Sequence, residues 1–153
     1  MRARSFALVT LAAGLISALA VAVALADGGA PRVTTLSGAE EVPPADPDGT
    51  GFASITLNVG QARVCWEISV SNIAPAFAAH IHVAPAGVNG PIVVPLSPPT
   101  TGSSTGCMEN VDPALVQAII DHPEQYYVNV HNADFPGGAV RGQLSNRGQS
   151  DSS

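Results

Sequence analysis

Alternation of apolar and polar positions dominates the chain from about residue 50 to residue 144. In GFASITLNVG, Ala53, Ile55, Leu57 and Val59 alternate with Phe52, Ser54, Thr56 and Asn58. After a turn at Gly60-Gln61, ARVCWEISVSNI places Val64, Trp66, Ile68 and Val70 on one face and Cys65, Glu67, Ser69 and Ser71 on the other. Two period-2 runs joined by a short Gly-containing turn predict a β-hairpin. PIVVPL and YYVNVHN predict further short strands. GGAVRGQL predicts a last one, with Val140 and Leu144 inward and Arg141 and Gln143 outward.

One segment has helical spacing instead. Asp112 is a candidate N-cap, Pro113 a first helical residue, and Leu115, Val116, Ile119 and Ile120 an apolar stripe that Pro123 ends. Ser97–Gly106 reads as a polar loop, and the residues from Asn146 (146–153) as a disordered tail. Short strands with Gly/Pro punctuation and one inserted helix predict an all-β fold, an antiparallel β-sandwich or Greek-key barrel.

The N-terminus changes the compartment. Arg2 and Arg4 precede an apolar run from Phe6 to Leu25, and Ala24-Leu25-Ala26 offers a small-x-small cleavage site. Residues 1–26 therefore read as a signal peptide, with 27–32 as a linker, and the mature chain as exported. The alternative is an uncleaved segment, the chain's one route to a membrane, since the run approaches the roughly 20 residues that span a bilayer. Cleavage leaves four basic residues against twelve acidic ones, a net charge of −8, and the chain has no lysine. Nucleic acid and anionic lipid are poor partners for such a chain.

Cys65 and Cys107 are the two cysteines. In an exported protein such a pair reads as a disulfide, here closing a loop between positions 65 and 107. The rival reading is a thiolate metal site, but neither cysteine lies in a C-x-x-C.

Charged residues make up only 12% of the chain, so candidates for chemistry are few. The first is in AAHIHVAPAGVNGP, where His80 and His82 stand two apart before a Pro/Gly-rich turn. On a strand they share a face, about 6.6 Å apart, while Ile81 and Val83 take the core face. YYVNVHN repeats the arrangement, with Val128 and Val130 inward and Asn129 and His131 outward. Three outward imidazoles on neighbouring strands are a candidate copper or zinc site, and an open fourth position is the mark of a catalytic rather than a structural centre. The bland alternative is three surface hydrogen-bonding histidines. His122 reads as a solvated helix-end residue. The acidic stretch AEEVPPADPDGTG reads as a solvated loop whose spacing does not fit an EF-hand.

LSGAEEVPP, GTGFASITL, AAHIHVAPAGVNGPIVVPL and YYVNVHNADFPGGAVRGQL, in that order, resemble the CHRD domain, the module named after chordin, over about residues 33–145. The resemblance implies a secreted β-sandwich module whose ligand is unknown. A second, site-level similarity is to copper/zinc superoxide dismutases, which carry an H-x-H strand, a later V-V-H strand and a C-terminal arginine after a Gly-rich segment. His80, His82, His131 and Arg141 match those positions in order. The similarity implies copper on the outer face of the barrel; strand facing puts Asn129 and Arg141 on the same side, with Arg141 either steering an anion or pairing with an acidic neighbour. The dismutases' bridging histidine follows a Gly-Pro; here Gly90-Pro91 is followed by Ile92, and the zinc loop is absent. Three functions follow as expectations: an exported binding module with a three-histidine copper site, a copper-dependent dismutase-like oxidoreductase, or a structural or adhesive domain without metal.

Overall fold

The computed structural model describes residues 28–146. The segment expected as a signal peptide, and all of the expected tail except Asn146, lie outside the described residues. Nine strands and one helix follow in the order β1 (Ala30–Ser37), β2 (Thr50–Asn58), β3 (Arg63–Ser71), β4 (Ala76–Val83), β5 (Ile92–Leu96), β6 (Ser103–Met108), α1 (Pro113–Asp121), β7 (Tyr126–Asn132), β8 (Val140–Gln143) and β9 (Ser145–Asn146). Every strand pair is antiparallel. The hydrogen-bonded order is β5-β4-β7-β8-β1-β2-β3-β6, with β9 also on β1.

The period-2 segments form strands with the expected faces. Ala53, Ile55 and Leu57 of β2 and Val64, Trp66, Ile68 and Val70 of β3 are buried. Ile81 of β4, Val94 of β5, Val128 and Val130 of β7 and Val140 of β8 join them in one apolar cluster. Strands far apart in the hydrogen-bonded order share that cluster, so the sheet curls upon itself as a nearly closed barrel and buries its inner face. β1 meets β8 through a single registered pair, Ser37 with Arg141.

The helix forms for the reasons its sequence gives. The Asp112 carboxylate accepts a hydrogen bond from the Ala114 amide at 2.9 Å, and Pro113 occupies the first turn, where a missing N–H costs nothing. Val116 and Ile119 are buried in the common core. Among the described residues, no helix is long and apolar enough to cross a membrane.

Two expectations need correction. Ser97–Gly106 is not wholly a loop, because Ser103–Met108 is strand β6, paired with β3 from Val64↔Met108 to Ser69↔Ser103. Its sequence, SSTGCM, has no apolar alternation to mark it, since it is an edge strand held by its partner. The stretch Ala39–Gly51 is not simply solvated either: Glu41 and Asp46 are 5% and 7% exposed.

Cys65 and Cys107 lie directly opposite each other on β3 and β6 and are disulfide-bonded, with their Cα atoms 4.0 Å apart. The bond therefore joins two neighbouring strands, with Cys107 on β6 just beyond the end of the stretch expected as a loop. It ties the edge strand to the barrel and closes a 42-residue span. On the chain-entropy relation such a closure is worth about 4 kcal/mol. Cys65→Ser/Cys107→Ser should therefore melt on the order of 10–20 °C below the wild type in differential scanning calorimetry. Equal melting temperatures would contradict a stabilising role for the bond.

Candidate metal centre

The site is a product of strand register. On β4 and β7, His80 pairs with Asn129, His82 with Tyr127 and Ala78 with His131; on β7 and β8, Asn129 pairs with Arg141 and Tyr127 with Gln143. Paired residues in a sheet share a face. The outer face of these three strands thus carries His80, His82, Tyr127, Asn129, His131, Arg141 and Gln143 together. The intervening residues Ala79, Ile81, Val128, Val130 and Val140 are core aliphatics, and they fix which way every polar side chain points.

The outer face is not the solvent face. All seven residues of β7 are buried, and His82, Asn129, His131 and Arg141 are 8%, 3%, 8% and 2% exposed. Three loops cover them: the stretch after β1 that holds Glu41, the Val88–Gly90 turn, and the Phe135–Gly138 turn. Asn89 Nδ2 donates to Val42 O at 2.7 Å and so joins the first two loops to each other. Gly138 lets the third approach, because a Cβ there would overlap Glu41 Oε1 and Asn129 Oδ1. His80 alone of the three histidines is only half-buried, and it forms the open side of the group.

His80, His82 and His131 offer one ring nitrogen each within 4.8 Å of the others. Their ring centroids are 5.0, 5.6 and 6.2 Å apart. His82 Nδ1 lies 2.9 Å from Gly90 O, and His131 Nδ1 lies 3.1 Å from Pro136 O. A carbonyl only accepts, so each Nδ1 carries the proton and each Nε2 keeps its lone pair. His82 Nε2 is buried with no hydrogen-bond partner, and His131 Nε2 lies 3.1 Å from His80 Nδ1. Backbone carbonyls that orient imidazoles in this way are the usual outer support of histidine metal ligands.

Burial also keeps the rings neutral. It is the largest influence on all three and lowers each below the ordinary histidine value, His80 to about 4, with the neighbouring imidazoles adding to the effect at His80. Near neutral pH the group therefore presents unprotonated nitrogens. A tetrahedral ion with bonds near 2 Å holds its ligand nitrogens about 3.3 Å apart. The three ring nitrogens, all within 4.8 Å of one another, lie within about 1.5 Å of that spacing.

The remaining residues expected at the site fall beside it. Arg141 donates to Asn89 Oδ1 and to Val88 O, both at 2.9 Å, and its Cζ lies 3.7 Å from the Tyr127 ring centroid. Asn129 Nδ2 donates a long hydrogen bond, 3.5 Å, to Glu41 Oε2. His122 caps α1 with a side chain 69% exposed and is not part of the group, as expected of a helix-end residue. Two residues escaped the sequence reading. Tyr127 stacks on His82 at 4.8 Å and 8°, and its place two residues before Asn129 on the same strand was an available signal. Glu41 sits in a loop with no periodicity, and nothing local distinguishes it from Glu40.

Burial raises the Glu41 carboxyl to about 7, outweighing the opposing effects of Arg141 and of the Asn129 hydrogen bond. A carboxyl raised in the fold contributes stability below its unfolded value, near 4.5, and loses that contribution as pH rises through 7. Chemical denaturation of Glu41→Gln should therefore gain on the wild type as pH rises from 4.5 to 7 and level off above. A difference that falls over that interval would show that Arg141 dominates instead.

Compared with curated proteins and with solved structures, the chain matches none of them. The family comparison is positive: the CHRD domain family matches residues 32–144. That span begins within β1, ends just after β8, and takes in all three histidines and both cysteines. The chain belongs to the CHRD domain family.

Proposed function

We propose that this chain is an exported CHRD module that binds a transition-metal ion, copper first among them, through His80, His82 Nε2 and His131 Nε2. The observation that carries the reading is the buried, unpartnered Nε2 of His82, aimed by a backbone carbonyl towards two further imidazoles. A buried acceptor without a partner is costly, and a metal ion satisfies it. Three neutral nitrogens exclude the oxygen-seeking ions Mg(II) and Ca(II) in favour of imidazole-binding ones, among which Cu(II) forms the strongest complexes. The apparent signal peptide and the disulfide support an oxidising, extracytoplasmic setting.

Binding is favoured over dismutation. The guanidinium of Arg141, which would have to attract the anion, is buried and committed to the Val88–Gly90 turn. The expected mature chain carries a net charge of −8, which repels anions rather than steering them.

Calorimetric copper titration tests the reading. His80→Ala, His82→Ala and His131→Ala should each weaken binding on the order of 100-fold or more, since even groups that merely orient a ligand are worth 10–100-fold. His122→Ala should bind as the wild type does. Unchanged affinity in all three site variants would remove the proposal.

The pH dependence follows from the lowered histidines. Protons compete for the same lone pairs. Affinity should stay level from pH 8 down to about 6.5, the value of an unperturbed histidine, and fall below it as the lowered imidazoles take up protons, His80 at about 4. A decline that begins well above pH 6.5 would contradict three depressed imidazoles.

A further inference from the structure

Arg141 is almost completely buried, and its hydrogen bonds go to a turn, not to the histidines. Both terminal nitrogens are spent on one turn, donating to Val88 O and to the side chain of Asn89. Its guanidinium rests on the ring of Tyr127, which also stacks on His82. The Tyr127 hydroxyl in turn accepts a hydrogen bond from the Gly90 amide at 3.2 Å. Gly90 is therefore held at both ends: its N–H by Tyr127, and its carbonyl by His82 Nδ1. Only glycine allows the turn to come this close to β4, because a Cβ would overlap the Val83 carbonyl.

The geometry points to Arg141 and Tyr127 as positioning residues that clamp the Val88–Gly90 turn and so fix the tautomer and aim of His82. The causal chain is short. Arg141 holds residues 88 and 89, Tyr127 holds residue 90, and the carbonyl of residue 90 holds the proton on His82 Nδ1. With that carbonyl displaced, nothing keeps the proton on Nδ1, and a neutral imidazole in water favours protonation on Nε2, the nitrogen needed for the metal. His131 serves as an internal control, because its own orienting carbonyl, Pro136 O, belongs to a different loop. The role differs from anion steering, because the guanidinium is buried and each terminal nitrogen donates to the Val88–Gly90 turn. Its consequence for metal rests on the proposed copper site; its consequence for the tautomer does not.

The test is long-range proton–nitrogen correlation NMR of the metal-free protein at pH 8, where the histidines are neutral. In the wild type His82 should be protonated on Nδ1. In Arg141→Lys, which keeps the charge but loses the fork, and in Asn89→Ala, the Nε2-protonated form of His82 should become prominent while His131 keeps its tautomer. Copper affinity should fall about 10-fold in both variants, the lower end of the range for orienting groups. Asn89 is exposed, so its variant decides the matter if Arg141→Lys fails to fold. A His82 tautomer unchanged in Asn89→Ala, or an equal shift at His131, would overturn the inference. A shifted His82 in a protein that binds no copper would uphold the clamp and refute the metal site.

Discussion

The register of β4 on β7 is the constraint on which the rest depends. Ile81 beside Val128 and Ala79 beside Val130 lock two apolar rows into the core. A slip of one residue would move those aliphatics to the outer face and carry the histidines inward, at the cost of burying charged and polar groups among aliphatics. The core thus specifies the site without touching it. His80, His82 and His131 converge because the residues between them have nowhere else to go, and strands from both ends of the hydrogen-bonded order supply that core.

Register alone would leave a solvated group of histidines with ordinary titration. The covering loops change its chemistry. By excluding water from His82, Asn129, His131 and Arg141 they keep the imidazoles neutral, and by presenting Gly90 O and Pro136 O they turn two lone pairs inward. The same covering raises the Glu41 carboxyl towards neutrality, so burial pulls acid and base in opposite directions at one end of the barrel. Polar contacts tie the loops to one another and to the sheet, chiefly Asn89 to Val42 and Arg141 of β8 to Asn89.

Most of the barrel was legible in the sequence because a half-buried strand writes its environment at period two. The faces of β2, β3, β4, β7 and β8, and the cap and first turn of α1, follow from single residues such as Trp66, Val128 and Asp112. The convergence of the three histidines was suggested by facing and by the order of motifs. Strand β6 was illegible because an edge strand needs no apolar alternation: SSTGCM is held by backbone pairing and by Cys107. The burial of the outer face was illegible for a different reason. Polar residues covered by polar loops look the same in sequence as polar residues in water, and only the tertiary placement of Glu41, Asn89 and Pro136 separates the two. Arg141 shows the consequence: its position was foreseen, but its partners, the Val88–Gly90 turn and Tyr127, were not.

The central claim is that three imidazoles, from two neighbouring strands, act as one ligand set. Pulsed electron paramagnetic resonance of the protein loaded with one equivalent of Cu(II) counts the bound imidazole nitrogens directly. The account predicts three equivalent-class histidine couplings, with copper–nitrogen distances near 2 Å in the matching X-ray absorption spectrum. Two or fewer imidazoles, or a spectrum dominated by deprotonated backbone amides, would contradict it.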